Sequence, residues 1–160
     1  MKRVAIALPI LIAGCASTVP VPGNLKPLAQ EKLALVVPAK GVQIYECRNG
    51  NWAFVAPDAE LFDRAGKKIG RHYAGPHWEA ADGSRIVGAV KERADAPVSG
   101  AIPWLLLSAK SAGKEGAFSK VTSIQRVATT GGVAPAGNCS QPGSQARVAY
   151  TADYYFFVSK

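Results

Sequence analysis

The sequence predicts an all-β protein, a single-domain antiparallel β-sandwich or barrel of about eight or nine strands. Three observations carry this reading. Apolar and polar residues alternate with period two in short runs from Gly41 to Lys160. Turn-forming pairs separate those runs, with Asn49-Gly50 and Asp82-Gly83 giving the strongest hairpin signals. No long stretch has a helical period, and Leu28–Leu35 (LAQEKLAL), which could make two helical turns, lacks a good cap. Sandwich and barrel remain open alternatives at this level.

The strands follow in order. Val42–Cys47 alternates and contains β-branched and aromatic types, so it reads as half-buried. Asn49-Gly50 turns it into Trp52–Val55. Pro57-Asp58 turns the chain again, Glu60–Asp63 is a short strand, and Ala65-Gly66 leads to Ile69–Tyr73. After Asp82-Gly83 comes Arg85–Lys91. Pro97–Gly100 reads as loop, and Trp104–Leu107 is a continuous apolar run suited to a strand buried on both faces. Gly113–Gly116 is a turn before the long strand Phe118–Thr129, with Val121, Ser123, Gln125 and Val127 on one side. A Gly/Pro-rich loop over Gly131–Pro142 precedes the aromatic final strand Arg147–Val158.

The chain has 160 residues, of which 48% are hydrophobic and 19% charged. That balance excludes a disordered chain and a multi-span membrane protein. The net charge of +8 favours anionic surroundings such as lipid phosphates, acidic envelope polymers or anionic glycans. No G-x-G-x-x-G or P-loop occurs, so a nucleotide cofactor is not expected.

The N-terminus reads as an address. Lys2-Arg3 precedes the apolar run Val4–Gly14, which is too short to cross a bilayer and suits a signal-peptide core. Leu11-Ile-Ala-Gly-Cys15 resembles the bacterial lipobox, in which the Cys thiol takes a diacylglycerol and becomes the mature N-terminus. Several acyl chains on Cys15 would anchor the protein firmly to a membrane. Ala16-Ser17 follow the Cys without an Asp. The expectation is therefore the outer membrane, facing the periplasm, with nucleic acid excluded as a partner by that location. Residues 1–14 would be signal peptide, 15–40 a lipidated N-terminus and Pro-rich tether, and 41–160 the β domain. Ala16–Pro27, with Pro20, Pro22 and Pro27, would space the domain roughly 35–40 Å from its anchor if extended.

With Cys15 used for lipid, Cys47 and Cys139 remain as a disulfide pair in an oxidising compartment. The alternative is two thiols with a metal or redox role, for which no C-x-x-C is present.

The stretch His72–Ser84 gathers both histidines of the chain with Trp78, Glu79 and Asp82. Gly75-Pro76 can bend the strand, so His72, His77 and Glu79 could converge as ligands of a divalent transition metal. The simpler reading makes His72 a strand residue with a local hydrogen bond, Trp78 core, and Glu79 a rim charge. Ser84, His72 and Asp82 could form a nucleophilic set, but the G-x-S-x-G elbow is missing and Asp82-Gly-Ser84 is a natural turn. Glu46, Glu79 and Asp82 could supply a carboxylate pair for glycoside hydrolysis. Thr129–Gly132 could make a backbone nest for an anion. Trp52, Trp78, Trp104 and the C-terminal tyrosines could stack on sugar rings, although aromatics on strands usually belong to the core.

The order of several segments is familiar: GVQIYEC (Gly41–Cys47), HYAGPxWE (His72–Glu79), DGS (Asp82–Ser84), IPWLLL (Ile102–Leu107), IQRVxTxGG (Ile124–Gly132) and APxGNC (Ala134–Cys139). Over about residues 25–160 the chain resembles the domain of unknown function 3455 family. That resemblance implies a bacterial or fungal protein with a secretion signal, and no activity comes with it. A malate-dehydrogenase-like name borne by some fungal relatives is not supported by this sequence, which lacks the dinucleotide fingerprint. The resemblance implies Thr where this chain has His77, which favours His72, Trp78 and Glu79 for a shared role. The expectation is an envelope-associated binding module that needs no cofactor. The alternative is a metal-dependent or hydrolytic enzyme centred on His72 and Glu79.

Overall fold

The computed structural model describes residues 19–160; the expected signal peptide and Cys15 lie outside the described residues. Eight strands follow in chain order: β1 (Glu31–Arg48), β2 (Asn51–Phe62), β3 (Lys68–Tyr73), β4 (His77–Ala80), β5 (Arg85–Ala94), β6 (Trp104–Ser111), β7 (Val121–Gly131) and β8 (Gln145–Ser159). Each pairs antiparallel with the next, and β8 returns to β1 from Glu31↔Ser159 to Glu46↔Gln145. The sheet is therefore a closed barrel. Long terminal strands make closure possible, because β1 and β8 meet along most of their length and use up the two edges an open sheet would expose.

Alternation along the strands fills the barrel. Val37 and Ala39 of β1, Ala59 and Leu61 of β2, Trp78 of β4, Ile86 of β5, Leu107 of β6, Ile124 of β7 and Tyr154 and Phe156 of β8 form one buried cluster. A second cluster lies on the outer surface, where Leu25 packs with Trp104, Leu106 and Val127. That arrangement explains the unbroken apolar run of β6. Leu107 faces the interior, while Trp104 and Leu106 face an N-terminal segment laid over the outside.

This segment corrects two expectations. Leu28–Leu35 forms no helix; β1 already begins at Glu31, and Leu33 and Leu35 stand opposite Phe157 and Phe156 of β8. The aromatic strand offers those leucines a partner that an isolated two-turn helix lacks. Residues 19–27, expected as an extended spacer, instead pack on the barrel. A short 3-10 turn at Gly23–Leu25 buries Leu25 completely. The Leu25 carbonyl accepts from Gln125 Nε2 at 2.5 Å, and Asn24 Nδ2 donates to the Arg93 carbonyl at 3.2 Å. Val19 and Val21 pack against this same outer cluster, as do Ala94 and Ala96.

Pro57-Asp58 also fails to turn the chain, since β2 runs straight through it. Proline is tolerated because the β3-facing edge of β2 is unpaired before Ala59, so no donor is needed there. The gap has a wider consequence. The β3–β4 hairpin is short, pairing with β2 only over Ala59–Phe62 and with β5 over Arg85–Val87, extended by Gly88 N–H to the Pro76 carbonyl. Beyond its turn, Asn51–Asp58 and Ala89–Ala94 face one another without an intervening strand, leaving a notch in the wall. Phe54 and Val90, 54% and 58% exposed, stand on its rim.

Cys47 and Cys139 form a disulfide across 92 residues of sequence. The bond fastens the loop between β7 and β8 to the end of β1. Cys139 N–H donates to the Gly50 carbonyl and Gly143 N–H to the Cys47 carbonyl. In the chain-entropy picture such a link stabilises the fold by up to about 4–5 kcal/mol.

Candidate functional site

The His72–Ser84 stretch is the β3–β4 hairpin and the turn that follows it. Pairing sets Tyr73 opposite His77, His72 opposite Trp78, and Arg71 opposite Glu79. Strand alternation then turns His72 and Trp78 into the barrel and His77 and Glu79 outward. The sheet thus separates His72 from His77 and Glu79, the other two residues considered as metal ligands. His77 Nδ1 lies 2.7 Å from the Ala74 carbonyl, and its ring stacks on Tyr73. Gly75 makes this turn with φ +128°, and a Cβ there would fall 1.9 Å from His77 Nδ1. Glu79 accepts from the Tyr73 hydroxyl at 2.6 Å and from Arg71 Nη2 at 3.0 Å. Those bonds, Tyr73 first, hold its carboxyl below the ordinary range. Among the described residues, no group of three His, Cys, Asp or Glu side chains stands together as a metal site would require.

Asp82 and Ser84 form a corner rather than a nucleophilic set. Ser84 Oγ donates to Asp82 Oδ1 at 2.6 Å and accepts from Phe118 N–H at 3.1 Å, while Asp82 Oδ2 accepts from Ala117 N–H at 2.8 Å. The pair staples the β4–β5 turn to the loop before β7. Its donors, led by the Ser84 hydroxyl, lower the Asp82 pKa to about 2. His72 takes no part, because its Nδ1 is engaged with the His77 carbonyl at 2.8 Å. The other carboxylate considered with Glu79 and Asp82 is likewise engaged elsewhere: Glu46 accepts from Arg48 Nε at 2.8 Å.

The Thr129–Gly132 stretch is also used structurally. Thr129 Oγ1 donates to the Ile102 carbonyl at 2.7 Å, and the Gly132 carbonyl accepts from the Tyr45 hydroxyl at 2.7 Å. Trp78 and Trp104 are buried, so with Tyr150 and Tyr154 they form core rather than a surface stacking platform; Trp52 is half-buried.

What the fold does bring together is a cavity of about 200 Å³ inside the barrel, beneath the notch. Its apolar walls include Pro57, Trp78, Leu105 and Leu107. Gly88 matters here, since a Cβ at that position would meet the Trp78 ring at 2.7 Å. Trp78 stacks on His72 with ring centroids 4.1 Å apart, and Tyr154 meets both rings edge-on. Four polar side chains reach the same space: Gln43 of β1, His72 of β3, Arg126 of β7 and Tyr154 of β8. A groove lined by Tyr45, Arg93 and Pro103 adjoins it and shares Gln43 and Arg126 with it.

The electrostatics of His72, Arg126 and Gln43 are unusual for a barrel core. His72 is 3% exposed, and burial lowers its pKa to about 3, so it is neutral at pH 7. Its Nδ1 faces a carbonyl and must carry the proton, which leaves Nε2 as an acceptor. Arg126 donates from Nε and Nη2 to the Pro103 carbonyl at 3.1 and 2.8 Å. Among the described residues no carboxylate forms an ion pair with it. Gln43 is 3% exposed, and its Nε2 has no hydrogen-bond partner.

Gln43 and Arg126 did not stand out in the sequence. Gln43 looks like the polar half of an alternating strand, and Arg126 sits between residues read as strand faces. The signal was in the spacing: Gln43 shares its face with Tyr45, and Arg126 shares its face with Ile124.

A family profile described as "Protein of unknown function (DUF3455)" matches residues 27–158. No curated protein and no solved structure matches the chain.

Proposed function

The chain belongs to the DUF3455 family over residues 27–158, and from that premise we propose that its barrel is a small-molecule-binding module of the bacterial envelope. One observation carries the reading. The buried amide Gln43 Nε2 has no partner of its own and lines a cavity that a notch in the wall connects to solvent. Leaving a buried donor unsatisfied costs about 1–3 kcal/mol, a cost that a ligand acceptor would remove. Mostly apolar walls with a few convergent polar groups are the usual composition of a ligand pocket.

The envelope part of the proposal is supported by the signal-like N-terminus and the lipobox ending at Cys15. The packing of residues 19–27 gives it a geometric consequence. Val19 packs against the same outer cluster as Ala94, the last residue of β5, whose Ala89–Ala94 half borders the notch. Four residue steps separate Cys15 from Val19, a reach of roughly 14 Å. A lipid on Cys15 would therefore hold the mouth of the cavity close to the membrane surface. No observation favours an enzyme centred on His72 and Glu79, which the sheet holds on opposite faces.

Displacement of an environment-sensitive apolar dye from the full chain tests the binding reading. The expected result is one saturable site in the parent, lost in Leu107→Trp, which fills the cavity from β6. Equal dye binding by both proteins would overturn it.

A further inference from the structure

We infer that the ligand of this cavity is a small monoanion with an apolar body, its carboxylate held by Arg126 and Gln43. The inference rests on the cavity being a binding site and adds the chemistry of its occupant.

The argument begins with charge. Arg126 projects inward from β7 between Leu105 of β6 and Tyr154 of β8, its cross-strand partners. Its guanidinium carries five N–H donors, and the Pro103 carbonyl engages only its Nε and Nη2. The surrounding walls offer no anion. Burial raises the pKa of the Tyr45, Tyr150 and Tyr154 hydroxyls, keeping them protonated. His72 is neutral. Asp58, the acid next to Pro57 in the lining, is bound to Arg147 at 2.6 Å. A half-buried cation with no counter-ion is unfavourable and draws an anion to the space it faces.

Hydrogen bonding supplies the second, independent argument. Gln43 Nε2 is a donor with nothing to donate to, in the same cavity as Arg126. These unfilled groups, and the unpartnered Nε1 of Trp78 in the same lining, are all donors, so the missing partner is an acceptor. Guanidinium geometry suits a planar carboxylate, and a neighbouring amide can donate to the same group. A single cation among neutral walls balances one negative charge, which favours a carboxylate over a phosphate dianion. The remaining walls, Trp78, Leu105, Leu107 and Pro57, fix the rest of the ligand as apolar. His72 Nε2, an acceptor, would take a hydroxyl if the ligand bears one.

Calorimetric titration of the full chain with octanoate and with its methyl ester is the test. Octanoate should bind at least about tenfold more tightly than the ester, since hydrogen bonds to a charged group exceed neutral ones by that order. Arg126→Gln should remove the preference while leaving ester binding in place. Gln43→Leu should weaken octanoate without loss of fold, because it removes an amide nitrogen that has no hydrogen-bond partner in the fold. Equal affinity for acid and ester, with Leu107→Trp blocking both, would overturn the carboxylate assignment and leave the cavity as an apolar site. Failure of both ligands and of the apolar dye to bind would overturn the binding function itself, and the carboxylate with it.

Discussion

His72 shows how much one side chain depends on its neighbours. It is a titratable ring packed flat on Trp78, with one nitrogen tied to the His77 carbonyl and the other left as an acceptor. Its folded pKa of about 3 lies below the ordinary 6.5. Between those values the unfolded chain binds a proton that the native protein does not, so the contribution of His72 is intact above pH 6.5 and lost as pH falls toward 3. Replacing it with Phe keeps a ring on Trp78 and removes the titration. Denaturant unfolding from pH 3 to 7 should show the parent gaining up to about 1.4 kcal/mol per pH unit more than His72→Phe. Parallel curves for the two proteins would contradict the lowered pKa, since they would mean that His72 takes up its proton equally in the folded and unfolded chain. Gln43, like Trp78 in the same cavity wall and Trp104, is held in the core with an N–H donor unpartnered.

Among the elements, the short β3–β4 hairpin and the N-terminal segment decide where the barrel is open and where it is covered. The hairpin ends early and leaves the notch; the segment of residues 19–27 closes over the outer face of β6 and β7. Leu25 is the keystone of that cover, fully buried against Trp104, Leu106 and Val127. Leu25→Ala should cost about 2–4 kcal/mol in denaturant unfolding. A change below about 0.5 kcal/mol would show that the segment is not packed in solution.

Most of these elements were legible in the sequence. Asn49-Gly50 and Asp82-Gly83 turn where their residue types require, and Ile69–Tyr73, Arg85–Lys91 and Arg147–Val158 fall within β3, β5 and β8. Trp104–Leu107, by contrast, is only the first half of β6, and β4 had no expected range. What period and turn chemistry could not reveal was the pairing. Leu28–Leu35 looks helical in isolation, and only β8 makes strand from Glu31 onward the better choice. Pro57 looks like a breaker until the missing β3 partner is known. The candidate site was half legible for the same reason. His72 and Trp78 lie in the stretch that drew attention, whereas Gln43 and Arg126 come from strands 83 residues apart that meet only when the barrel closes.

At the scale of the whole molecule, the described residues form a barrel with an internal cavity, a notch leading to it, and a disulfide-fastened loop at the same end. Closure through β1 and β8 supplies the rigid wall that lets Gln43, His72 and Arg126 converge without contacts among themselves. The proposed lipid at Cys15 and the path of residues 19–27 would set that mouth against the membrane, where amphiphilic acids partition. The most direct test of the binding claim is two-dimensional NMR of the full chain titrated with octanoate. We expect saturable shifts centred on Gln43, His72, Trp78, Leu107 and Arg126, the walls of the cavity, with Lys32, Lys110 and Lys120, exposed around a separate surface groove, unmoved. Shifts confined to those lysines, or no saturable shifts at all, would contradict a ligand site inside the barrel.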